Sequence, residues 1–205
     1  FEKGMSVKHV NANKEIKLAQ PQQFMAQERE SVEKAYPGDI IGLFDPGVFG
    51  IGDTVCTGAP ILFDGIPLFA PEHFARVYTP DTMKRKQFIK GIEQLSQEGA
   101  IQVFKETNIG REELIIGVVG MLQLEVLQYR LKAEYNAEVN ISGLPYKYVR
   151  WIKGAEDVSR LKLSSSAKSA QDGKGRAVIL FENDWSIRWA LENNSGLELT
   201  DTMPR

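Results

Sequence analysis

Two hydrophobic periodicities succeed one another along this chain. Up to about residue 65, apolar residues come in short alternating runs broken by Gly, Pro, Asn and Asp, the pattern of strands joined by tight turns. Met5 and Val7 alternate with polar residues, with His9 in the same register. Asn11-Ala12-Asn13 reads as a turn, and Glu15-Ile16-Lys17-Leu18 alternates again. Residues 36–58 read as two short strands about a turn. Ile40, Ile41, Leu43 and Phe44 follow Pro37-Gly38-Asp39, and the run Thr54-Val55-Cys56-Thr57 follows Gly52-Asp53. Asp45-Pro46-Gly47 between them is turn chemistry, because proline presets a negative φ and glycine accepts a positive one. Gly42, Gly47, Gly50 and Gly52 argue against a helix, at about 1 kcal/mol each in a helix interior. The polar segment 21–34, with Phe24 and Met25 its large apolar residues, leaves two readings open: an exposed loop, or a helical turn lying on the barrel.

The boundary falls at residues 64–71, where Gly65, Pro67 and Pro71 punctuate an apolar link. Its Ile66, Leu68 and Phe69 are expected to pack between domains. The domains expected are a β-barrel over 1–65, entered part-way, and an α+β domain over 66–205. From residue 72 the period changes. Phe74 to Tyr78 reads as a strand, and Thr79-Pro80-Asp81 as a helix start with Thr79 as N-cap. Phe88, Ile92 and Leu95, with Ile89 beside them, form one core-facing stripe ended by Gly99. A strand over 100–104, a turn at Asn108-Ile109-Gly110 and an apolar strand over 114–119 follow. The second helix is read with Leu122, Val126, Tyr129 and Leu131 or Ala133 inward, and Gln123, Gln128, Arg130 and Lys132 outward. Residues 138–141 make a fourth strand. Strand–helix–strand twice over is βαββαβ, a ferredoxin-like domain with both helices on one face of the sheet. A carboxy-terminal extension adds a strand over 148–151, a helix over 155–163, a polar turn or loop over 164–175, a strand over 177–181, a short helix over 185–192 and a frayed tail.

Composition narrows the chemistry. Hydrophobic content of 42% and charged content of 25% are those of an ordinary globular protein. The net charge of −2 means that any RNA contact uses a local patch rather than a global field. A single cysteine, Cys56, excludes an internal disulfide and a multi-cysteine zinc site. No apolar run is long enough to span a bilayer. The phosphate loop GxxxxGK[ST] is absent, and the glycines at 47, 50 and 52 do not lead a strand into a helix. His9 and His73 lack ligand spacing. The serines at 164–166 have no histidine nearby in sequence to act as base. An acylphosphatase-like use of the fold needs an arginine-bearing phosphate loop where this chain has Thr79-Pro80-Asp81.

One charge cluster stands out. Lys84, Arg85, Lys86 and Lys90 occupy the first turns of the first helix, where the macrodipole favours acids by about 0.3–1 kcal/mol per charge. Two readings remain: a solvated helix face, or phosphate contacts that release counterions. Arg130 and Lys132 extend the cluster if the outer faces of the two helices lie side by side.

The wording AYPGDIIGLFDPG with IGDT resembles the second, barrel domain of translational GTPases. With GIPLFAPEHFARV, QLSQEGAIQVF and IIGVVGMLQLEVLQYRLKAEYNAEV in the same order, the chain resembles the peptide chain release factor 3 family over most of its length. That resemblance implies a carboxy-terminal fragment of a cytoplasmic, monomeric ribosome factor that speeds departure of class I release factors. It implies that GTP and magnesium bind in an amino-terminal domain outside this chain, which itself holds no cofactor and is not an enzyme. The partners it implies are ribosomal RNA, ribosomal proteins and, functionally, class I release factors, with no membrane. A protein–protein adaptor, or an enzyme using the interdomain cleft, are the alternatives.

Overall fold

The computed structural model describes residues 1–18, 22–25, 28–43, 45, 47–63, 69–106, 114–154 and 158–202; along 22–25 and 28–31, and at 159, it describes the backbone alone. The chain divides into two units, Phe1–Pro67 and Leu68–Arg205.

In the first unit, β1 (Ser6–His9) pairs antiparallel with β2 (Lys14–Lys17), with Val7 opposite Ile16. Next come β3 (Gln22–Met25) and β4 (Glu28–Ser31), a separate antiparallel hairpin. β5 (Val55–Cys56) pairs with the other edge of β1, giving the order β2-β1-β5. Val7, Leu18 and His9 are buried.

Two expectations are corrected here. Residues 21–34 are neither loop nor helical turn over their described part, but hold this hairpin; its two large apolar residues are adjacent, so no apolar alternation marks it. Among residues 40–43 there is a single isolated bridge, at Gly42, rather than a strand, and Ile40 is 87% exposed; Phe44 lies outside the described residues. Aspartates on either side of this stretch fasten the turns that flank it. Asp39 Oδ2 accepts from Tyr36 N at 2.7 Å, Asp53 Oδ2 from Gly50 N at 2.6 Å, and Asp45 Oδ1 from the amides of Gly47, Val48 and Phe49. Gly47, at φ +89°, supplies the positive φ that this turn needs. Desolvation works to raise the Asp45 carboxyl, but those three amides hold it below the usual carboxylate range.

The second unit opens with β6 (His73–Tyr78), a 3₁₀ turn (Thr82–Lys84) and α1 (Arg85–Gln97). β7 (Gln102–Glu106), β8 (Leu114–Val118), α2 (Leu122–Tyr135) and β9 (Asn140–Leu144) complete βαββαβ. The extension is β10 (Tyr148–Ile152), a 3₁₀ turn (Val158–Arg160), β11 (Ala167–Asp172), β12 (Ala177–Phe181), α3 (Asp184–Asn193) and β13 (Leu199–Thr200). All eight strands form one antiparallel sheet, ordered β13-β10-β12-β11-β7-β8-β6-β9. Its β7-β8-β6-β9 half is the ferredoxin-like order. α1 and α2 share an apolar cluster with one face of that half, through Phe88, Ile92 and Leu95 on α1 and Leu124, Leu127 and Leu131 on α2. The helices meet closely at Gly91, where an added Cβ would lie 2.5 Å from Leu131 Cδ2. On the sheet's other face a single cluster runs from Phe74 of β6 through Phe104 and Ala170 to Val149 of β10.

Several readings of this unit are corrected. The N-cap is Asp81 rather than Thr79: its Oδ1 accepts from Met83 N at 2.8 Å, and the 3₁₀ turn precedes α1. α2 buries Leu124, Leu127 and Leu131, whereas Leu122, Val126 and Tyr129 face solvent. Gln123, expected outward, accepts from Val119 N and Gly120 N and donates to Ala100 O, tying the helix start to the sheet. In place of a helix over 155–163, the described residues hold one 3₁₀ turn; 155–157 lie outside them. The supposed loop 164–175 contains β11, wedged between β12 and β7. The tail is not frayed throughout, because Leu197 is buried and β13 pairs with β10. Phe69, expected in the core, is 74% exposed, while its carbonyl accepts from Gln102 Nε2 at 2.7 Å; Ile66 and Leu68 lie outside the described residues.

Candidate functional site

The first turns of α1 present Arg85, Lys86 and Lys90 to solvent, with Lys84 half-buried beside them. A shallow depression there is lined by Thr82, Arg85, Lys86, Ile89, Lys90 and Glu93. Position follows from the helix itself: Phe88, Ile92 and Leu95 face the core, which leaves residues 86 and 90, four apart, on one outer ridge. No acidic residue stands in the first turn of α1 to neutralise them. Among the described residues Lys84, Lys86 and Lys90 have no carboxylate within ion-pair distance. Three ammonium groups at the positive end of a helix oppose the macrodipole and one another. That arrangement suits an anion brought from outside.

Arg130 and Lys132 are each paired with carboxylates. Arg130 bridges α2 to Glu98, just beyond the end of α1, and also binds Glu134 four residues on. Its guanidinium is raised above its ordinary value, first by the Glu134 hydrogen bond and then by Glu98. Eight residues of chain separate Lys90 from Glu98, about 12 Å of helix. Lys132 pairs with Glu138 at 2.9 Å, which raises the ammonium and lowers the carboxyl. Sequence spacing brought these cations into view; their partners, 32 residues away in the case of Arg130 and Glu98, were not visible in it.

His9 is buried in β1, its Nε2 2.8 Å from Asp53 Oδ2 and its ring 5.4 Å from that of Phe49. It joins a turn to a strand. His73 lies in β6 opposite Val118, and Cys56 is partly exposed in β5. Among the described residues no group of three His, Cys, Asp or Glu side chains is placed to hold a metal ion. A further surface, missed in the sequence, is the apolar stripe on the outside of α2. Its signal was present as a second set of apolar residues spaced by three and four, competing with the set that is buried.

Residues 1–58 match the family described as Elongation factor G domain 2, and residues 63–191 match Class II release factor RF3, C-terminal domain. A barrel of the first kind followed by an α+β domain of the second defines a translation-factor architecture. A solved structure from Thermus thermophilus shares the fold at a TM-score of 0.58 and 18% identity, over 84% of this chain and 26% of that one. The chain belongs to the peptide chain release factor 3 family. It is 53% identical to "Peptide chain release factor 3" of Symbiobacterium thermophilum over 96% of this chain and 37% of the relative. It is 42% identical to that of Gloeobacter violaceus over 100% of this chain and 39% of the relative, and 43% identical to that of Nostoc punctiforme over 100% and 38%. The chain thus spans about two-fifths of the length of the curated relatives it matches.

Proposed function

We propose that this chain is the ribosome-binding part of a GTP-dependent translation termination factor that promotes release and recycling of class I release factors. GTP and magnesium belong, on this reading, to a nucleotide-binding domain of the longer protein; no P-loop occurs in this sequence, and the chain acts by docking rather than by catalysis. It works as a cytoplasmic monomer, and no described helix is long and apolar enough to cross a membrane. Family membership supports the termination role. The observation that carries the docking role is the group Lys84, Lys86 and Lys90, with Arg85 beside them, around the depression at the start of α1. Such a group neutralises backbone phosphates of ribosomal RNA and releases their counterions.

The test is co-sedimentation of the chain with purified ribosomes across a salt series. Each phosphate contact contributes roughly 0.7–0.9 to the slope of log affinity against log salt. Changing Lys84, Lys86 and Lys90 to Ala flattens that slope by roughly 2–3 if all three touch phosphate. Binding that ignores both salt and these substitutions removes the lysines from the mechanism.

A further inference from the structure

The outside of α2 carries a different chemistry. At 100° per residue, Leu122, Val126 and Tyr129 lie within about 60° of one another, on the side opposite Leu124, Leu127 and Leu131. They are 71%, 51% and 73% exposed, and Met121 beside them is 58% exposed. The helix already buries a full stripe inward, so this second stripe does nothing for the core of its own domain, and contiguous exposed apolar surface marks contact sites.

The charges around the stripe decide what covers it. Arg130 is held by Glu98 and Glu134, and Lys132 by Glu138. Glu125 stands at the stripe's edge on the Tyr129 side, exposed, with no cation in ion-pair distance among the described residues. Glu125 is thus the unpaired charge at the stripe's edge, while the α2 cations Arg130 and Lys132 are already engaged. An unpaired carboxylate there disfavours phosphate. A second copy of the chain would set the same unpaired carboxylate against itself, with no free cation on α2 to answer it. What complements it is a protein surface with an apolar side chain flanked by Lys or Arg.

We infer that the outer stripe of α2, Leu122, Val126 and Tyr129 with Glu125 at its edge, docks a basic protein surface. It forms a second contact on the same helical layer as the lysine site of α1. The inference rests on the ribosome reading for the source of that partner, since ribosomes present basic proteins among their RNA. The two helices then carry surfaces of opposite character: lysines for phosphate, and an acidic-edged apolar stripe for protein.

The test uses the full chain and purified 70S ribosomes. Leu122→Gln combined with Tyr129→Gln weakens binding about tenfold or more while leaving the salt slope unchanged. Glu125→Lys also weakens it, whereas an RNA partner would be bound more tightly by the reversed charge. A photoreactive benzoylphenylalanine at position 129 cross-links to a ribosomal protein. Tightening by Glu125→Lys, cross-linking to RNA or to a second copy, or unchanged affinity in the double variant overturns the inference and leaves the lysine reading standing. Unfolding midpoints of all variants match the wild type; a fall would show the stripe covered within the chain and also overturn it. No co-sedimentation at any salt overturns the ribosome reading, and this inference with it.

Discussion

Asp172 is the residue whose replacement tests the carboxy-terminal extension most sharply. It closes the turn between β11 and β12 and is nearly buried. Its Oδ1 accepts from Lys174 N at 2.9 Å and Arg176 N at 3.0 Å; its Oδ2 accepts from Trp151 Nε1 at 3.0 Å and Arg176 Nε at 2.8 Å. Asp172→Ala leaves the indole N–H of a buried tryptophan without its acceptor, at about 1–3 kcal/mol. It also removes a carboxylate from Arg176, and hydrogen bonds to charged groups contribute about 1.5–3 kcal/mol. Breaking a buried ion pair costs about 3–5 kcal/mol, discounted here because the Arg176 side chain is 24% exposed. Allowing for overlap between these losses, the expected destabilisation is about 2–4 kcal/mol. Trp151→Phe, which removes one donor and leaves the others, costs about 1 kcal/mol through this bond. Urea unfolding followed by tryptophan fluorescence reads both. The pH dependence adds a second check. Desolvation works to raise the Asp172 carboxyl, but the Trp151 indole and the amide and guanidinium donors outweigh it and hold the group below its ordinary value. A depressed folded pKa stabilises above the unfolded value of about 3.9 and is lost as pH falls through the folded one. The stability difference between wild type and Asp172→Asn therefore shrinks below about pH 4. A loss under about 1 kcal/mol in Asp172→Ala, or a difference that grows on acidification, refutes the reasoning.

The two faces of α2 separate in stability. Leu127→Ala costs about 2–5 kcal/mol, whereas Leu122→Ala changes the unfolding free energy by no more than about 0.5 kcal/mol; equal losses would restore the opposite orientation of the helix. Gly91→Ala gains about 1 kcal/mol of helix propensity, but its Cβ meets Leu131 at 2.5 Å and the Tyr135 ring at 3.0 Å. Overpacking of about 1–3 kcal/mol is expected to make the variant no more stable than the wild type, and a clear gain in melting temperature would show that Tyr135 and Leu131 yield freely.

Local rules were enough wherever one signal stood alone. α1 has a single apolar stripe, so Phe88, Ile92 and Leu95 could be placed in the core from their spacing. Alternation of strands and helices announced βαββαβ, and the lysines of α1 were visible as an unfavourable charge order in a helix start. Elsewhere the chain offered two answers, or none. α2 carries apolar residues on opposite faces; both satisfy the helical period, and only the sheet beneath it and Gly91 opposite Leu131 choose between them. β11 is Ala-Lys-Ser-Ala-Gln-Asp, with no large apolar residue. It is a strand because β7 and β12 supply its hydrogen-bond partners, a property of its neighbours and not of its own composition. Phe69 looked like core because it is apolar, yet its side chain is exposed. Asp172 and Arg130 likewise gained their roles from residues distant in sequence, Trp151 in one case and Glu98 in the other. Propensity and period act within a few residues, while burial and charge pairing depend on what the completed fold brings alongside.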